Sequence, residues 1–155
     1  MKNDKILIYG GRDYADWEGA FKALDLLKSR IEQRGDRIAE VIEGGAKGAD
    51  RLGREWAQAH GISVITFNAD WNRFGKSAGS IRNRQQFEEG QPNLCVEFPG
   101  GPGTRNMRSI LTENGVTPWC PFGDPQKPKN EFRGAEPVKI NPPASESSNQ
   151  TTLGF

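Results

Sequence analysis

The chain has one histidine and two cysteines, and no apolar stretch long enough to cross a bilayer. The one histidine, His60, lies at a helix end before Gly61, and with no other His no Ser-His-Asp constellation is read. A zinc site built from one His and two separated Cys has no support, and no metal or cofactor is expected. Cys95 and Cys120 both sit in strand-like contexts and read as buried thiols, since nothing else points to an oxidising compartment. Met1-Lys2-Asn3-Asp4-Lys5 runs straight into a strand-like segment with no signal-peptide core, which reads as a cytoplasmic protein. Charge of one sign is also missing: the formal net charge is +1, so composition favours neither a nucleic acid nor a membrane as partner.

Glycine is plentiful, and its placement is informative. Gly10-Gly11, Gly44-Gly45 and Gly100-Gly101 each follow a short β-like apolar run. Strands are predicted over 5–9, 37–43, 62–67, 93–98 and 116–120. Helical patterns fall between them. The first has Asp16 as N-cap, Trp17, Phe21, Leu24, Leu27 and Ile31 in register, and Gly35 as its stop. Others span 49–60, 80–89 and the stretch carrying Met107, Ile110 and Leu111. Alternation of this kind predicts a Rossmann-like α/β fold: a three-layer parallel sheet of about five strands with helices on both faces. Right-handed crossovers would put all strand-to-helix loops on one side, bringing the three glycine pairs together.

The mean hydropathy of −0.73 is polar for a compact domain. Apolar residues concentrate in the first 120 positions, so the domain is read as 1–121. Residues 122–155 carry prolines at 125, 128, 137, 142 and 143 and a Ser/Asn/Thr-rich end, the composition of an extended or mobile tail. Trp119, Phe122 and Phe132 are the residues able to pin its first part to the domain.

The turn Pro99-Gly100-Gly101-Pro102-Gly103-Thr104 is the most specific element. Glycine admits a ligand close to the main chain, and a helix opening beyond it offers unpaired N–H groups suited to phosphate. Thr104 adds a hydroxyl. Gly44-Gly45-Ala46-Lys47-Gly48-Ala49-Asp50 lacks the Gly-Lys-Ser/Thr ending of a P-loop. Within it, Gly45, Ala46 and Gly48 are candidate ligand contacts. Asp50 either complements its helix N-terminus or accepts hydrogen bonds from a ribose or base. Gly10, Gly11, Arg12, Asp13 and Tyr14 form the first loop, where Arg12 can reach a phosphate or stack on a base. Arg82, next to Asn83, brings positive charge to a helix start that would prefer an acid, which hints at an anionic ligand. Trp71 can cover a base or belong to the core. A general acid or base would come from Asp13, Asp50, Glu43 or Glu97.

Together these motifs resemble the SLOG superfamily, within it the YspA, cpYpsA-related branch, over residues 5 to about 120. Lonely Guy phosphoribohydrolases and DNA-processing protein A are members of the same superfamily. The resemblance implies a nucleotide, or a derivative such as an ADP-ribose-type ligand, held across the strand ends of a homodimer. In Lonely Guy enzymes the last turn reads Pro-Gly-Gly-x-Gly-Thr-x-x-Glu, and that Glu serves cleavage of the N-glycosidic bond. Here Met107 stands in its place, and methionine neither moves a proton nor stabilises an oxocarbenium ion. A sensor or sequestering module is therefore one expectation. The alternative is a nucleosidase-type hydrolase using Asp50 with Arg82 as its catalytic residues. Single-stranded DNA binding is a distant third, disfavoured by the near-neutral charge.

Overall fold

A computed structural model describes residues 1–123. The chain runs β1 (Asn3–Tyr9), α1 (Trp17–Gln33), β2 (Arg37–Glu43), α2 (Ala49–Ala59), β3 (Ser63–Thr66) and a short α3 (Trp71–Phe74). A 3-10 turn (Gly75–Ser77) then leads into α4 (Ala78–Glu88), β4 (Leu94–Glu97) and α5 (Pro102–Glu113). All strand pairs are parallel, in the order β3-β2-β1-β4. Chain order therefore reverses beside β1, and the crevice opens there, between the loops that follow β1 and β4.

Local chemistry explains the elements. Ile6, Leu7 and Ile8 are all fully buried. Neighbours on a strand point to opposite faces, so both faces of β1 are covered, as a parallel sheet requires. Asp16 caps α1 by accepting the Gly19 amide at 2.9 Å. Leu24, Leu27 and Ile31 are its buried stripe. On α2, Leu52, Trp56 and Ala57 are buried, while Ala59 is exposed.

Among the described residues the sheet has four strands, not about five. The expected strand over 116–120 is reduced to one bridge between Trp119 and Val96. Trp119 donates to the Cys95 carbonyl at 2.8 Å and accepts from the Glu97 amide at 2.9 Å. Pro118 and Pro121 flank it, and neither has an N–H to extend the ladder. Phe122 is buried against Phe98 and Tyr14, so the core reaches one residue beyond the predicted domain end. Residues 124–155 of the predicted tail, including Phe132, lie outside the described residues. Among the described residues no helix is long and apolar enough to cross a membrane.

Candidate functional site

The three glycine loops meet. The Gly11 amide donates to the Pro99 carbonyl at 3.0 Å, and the Gly11 carbonyl accepts the Ala49 amide at 3.1 Å. Gly48 has φ +71°, and a Cβ there would collide with the Gly11 and Arg12 carbonyls. Beside this junction a cavity of about 590 Å³ opens at the carboxyl ends of the strands. That volume is in the range of small-molecule sites.

One wall is the start of α5. Gly101 is its N-cap and supplies no side-chain cap, while Pro102 at the first position has no amide. The first intrahelical bond runs from the Arg105 amide to the Gly101 carbonyl. The amides of Gly103 and Thr104 thus have no partner within the helix. Gly100 and Gly101 divide their roles. A Cβ on Gly100 would collide with the Thr104 hydroxyl and the Gly11 backbone, whereas one on Gly101 meets nothing within 4 Å.

The floor is an ordered polar chain. Asp50 is almost fully buried and accepts the Ala46 amide at 3.2 Å. Burial pushes its carboxyl up to about 6, against the pull of the Arg82 charge and of the backbone amides. Arg82 is itself buried, which lowers its pKa, partly offset by Asp50. It donates to the Gly44 carbonyl through Nη1 and to Asn83 Oδ1 through Nε at 3.0 Å. Asn83 Nδ2 in turn donates to the Gly103 carbonyl at 3.3 Å and to Asn106 Oδ1 at 3.0 Å. Arg82 and Asn83 accordingly clamp the β2 loop to α5.

At the mouth the Arg12 guanidinium lies 5.3 Å from the Trp71 ring centroid, a cation–π pairing. Trp71 is 47% exposed, so its ring is not part of the core.

Of the residues singled out in sequence, Gly10, Gly11, Arg12, Asp13, Ala46, Asp50, Trp71, Arg82, Asn83, Gly101, Gly103 and Thr104 line this cavity. Five do not. Tyr14 packs its ring against Phe98 and Phe122, with a buried hydroxyl that has no partner. Gly45 bonds its amide to Glu43 Oε1 at 2.7 Å, and Gly48 supports the loop junction. Pro99 and Gly100 border a separate small cavity of about 70 Å³ with Glu97 and Arg108.

Lys76, Gln86 and Asn106 line the main cavity without having been singled out. A signal existed for Gln86. Ala78, Arg82, Asn83 and Gln86 are the buried residues of α4, at the spacing of a core stripe yet mostly polar. Of the remaining acidic candidates, Glu43 is fully buried, held by Thr66, Gly45 and Arg54. Glu97 is held by Tyr9 at 2.7 Å and by Arg108 through two nitrogens.

Comparison with known proteins agrees with the motifs. Residues 4–74 match the YspA, cpYpsA-related SLOG family, a span from β1 to α3 that stops before the Pro99–Thr104 turn. The chain is 30% identical over 127 residues to the Gene 61 protein of Mycobacterium phage D29, covering 77% of this chain and 97% of that protein. No solved structure matches it. A parallel α/β sheet with glycine loops gathered at one edge, and a sequence match spanning its first half, lead to one conclusion: the chain belongs to the YspA, cpYpsA-related SLOG family.

Proposed function

We propose that this protein binds a nucleotide or nucleotide derivative, such as an ADP-ribose-type ligand, as a sensor or sequestering module. One observation carries the reading. The uncapped start of α5 faces the same cavity as Arg12 and Lys76, at the switch point of a parallel sheet. First-turn amides and the helix dipole favour a phosphate there, and two exposed cations lie where further phosphate charge would fall. The Trp71 ring at the mouth offers a stacking face for a base. Met107, buried in the cavity wall, supplies no carboxylate for bond cleavage.

The test is mass spectrometry of the small molecules that copurify with the protein, followed by calorimetry with AMP, ADP, NAD and ADP-ribose. Saturable binding of at least one supports the reading. Absence of binding to all of them, with no copurifying nucleotide, overturns it.

A second reading is favoured by Asp50. A buried carboxyl with a pKa raised to about 6 on a cavity floor is suited to donating a proton near neutral pH. On that reading the protein is a hydrolase that cleaves an N-glycosidic bond, with Asp50 protonating the leaving base. Incubation with nucleoside monophosphates would then release free base, and Asp50→Asn would stop the release. No free base from the wild type excludes it.

A further inference from the structure

Arg82 is 9% exposed, and a charge so deeply buried normally bonds to an opposite one. Its hydrogen bonds go to neutral oxygens instead. Nη1 donates to the Gly44 carbonyl, and Nε donates to Asn83 Oδ1 at 3.0 Å. Asp50 acts on it through space, while its own carboxylate accepts the Ala46 amide. A guanidinium carries five N–H donors, and the two on Nη2 have no acceptor among the described residues. Nη2 is also within reach of a ligand. Among the described residues the side-chain polar atoms sealed from solvent without a partner are Tyr14 Oη and Gln86 Oε1, and Nη2 is not one of them. It lies 4.0 Å from the point where a Cβ on Gly79 would stand, and Gly79 and Arg82 both line the large cavity. Gly79 is three residues before Arg82 on α4, and helical side chains lean back toward the N-terminus.

Asn83 shows how far this guanidinium stands from the start of α5. Its side-chain amide meets Arg82 Nε at 3.0 Å on one side and the Gly103 carbonyl at 3.3 Å on the other. The guanidinium and the first turn of α5 are thus one carboxamide apart, on the scale of the two neighbouring phosphates of a diphosphate. Arg12 approaches the same place. Its guanidinium is 5.3 Å from the Trp71 ring centroid, and Cη2 of a Trp71 ring lies 3.4 Å from that same point beside Gly79. Burial is the main cause holding the Arg82 pKa down, and the Arg12 charge lowers it further, a repulsion that an anion beside both relieves.

We infer that Arg82 Nη2 is a specificity-determining contact for a second phosphate, so that the cavity selects nucleotides carrying a diphosphate over monophosphates. One phosphate sits at the first turn of α5 and the next against Nη2. The inference rests on the nucleotide-binding reading above and narrows it to nucleoside diphosphates and their esters. A monophosphate at α5 leaves the buried guanidinium without its anion.

The experiment is calorimetry with AMP, ADP and ADP-ribose. Wild-type protein is expected to bind ADP and ADP-ribose about tenfold or more tighter than AMP, the yield of a charge-assisted hydrogen bond. In Arg82→Gln that ratio falls to about one, since the fork and its charge are gone. Gly79→Ala covers the case in which the Arg82 variant does not fold. Its methyl group makes ordinary contact with the Trp71 ring, alanine favours the helix, and the added carbon crowds Nη2, so the ratio falls there too. Equal wild-type affinities for AMP and the diphosphates overturn the inference alone. A folded Arg82→Gln protein that keeps the preference overturns it as well, and if that variant does not fold, so does a preference left intact in Gly79→Ala. Binding of none of the ligands sinks the nucleotide reading beneath it.

Discussion

Gly11 and Pro99 are joined by a 3.0 Å hydrogen bond, from the amide of the first to the carbonyl of the second. These two residues belong to loops far apart in sequence, after β1 and β4, which are neighbours in the sheet. The bond sets one loop against the other at the switch point. It also holds the start of α5 at the edge of the cavity, so loop geometry and anion-binding geometry are one feature of the fold.

Gly100 and Gly101 should therefore fail in different ways. Gly101→Val is expected to abolish ligand binding with its melting temperature nearly unchanged, because the new side chain enters open space in the cavity. Gly100→Val should lower the melting temperature, since its Cβ overlaps Thr104 and the Gly11 backbone. Thermal melts and calorimetry on both variants separate the two. A Gly101 variant that unfolds would assign that residue to structure.

Stability should carry a pH signature of Asp50. Its pKa is raised from 3.8 to about 6, so the folded protein holds this proton more firmly than the unfolded chain. The resulting contribution is complete below about pH 4 and is lost as pH rises through about 6. Asp50→Asn removes it. Urea midpoints of wild type minus variant should fall across that window and level off above it. A difference that does not change with pH would mean the carboxyl titrates normally.

Arg108 is bound to the buried Glu97 by Nε at 2.9 Å and by Nη2. Arg108→Ala leaves that carboxylate facing only the Tyr9 hydroxyl. The expected loss is on the order of 2 kcal/mol, below the usual cost of breaking a buried pair because Arg108 is partly solvated. Adding Glu97→Gln should recover part of it, as measured by a double-mutant cycle in urea. Purely additive effects would show that the pair is not coupled.

Phe122 is 2% exposed and packs against Phe98 and Tyr14. Phe122→Ala should cost about 3 kcal/mol, the range for emptying a buried aromatic site. A loss under about 1 kcal/mol in chemical denaturation would show that this ring is peripheral.

Much of the fold was legible locally. β2 forms over Arg37–Glu43, as predicted, because a run of apolar residues bounded by polar ends and glycine turns has few other uses. Asp16 declares its helix start, and the three glycine pairs mark where strands hand over to helices. The predicted last strand shrinks to one bridge because Pro118 and Pro121 withhold the amides its ladder would need, whatever the apolar character of the segment. Trp71 was ambiguous between core and surface, since hydrophobicity alone does not tell which side of a loop faces water.

Period, capping and turn residues are properties of a few neighbouring positions, so the α/β alternation, the parallel sheet and the clustering of glycine loops at one edge were carried by the amino-acid order itself. The direction of the Arg82–Asn83–Gln86 hydrogen bonds, the burial that raises Asp50, and the exclusion of Tyr14 from the cavity depend on which distant groups come into contact. Burial and donor direction are set by neighbours in space. Only the packed chain assigns them.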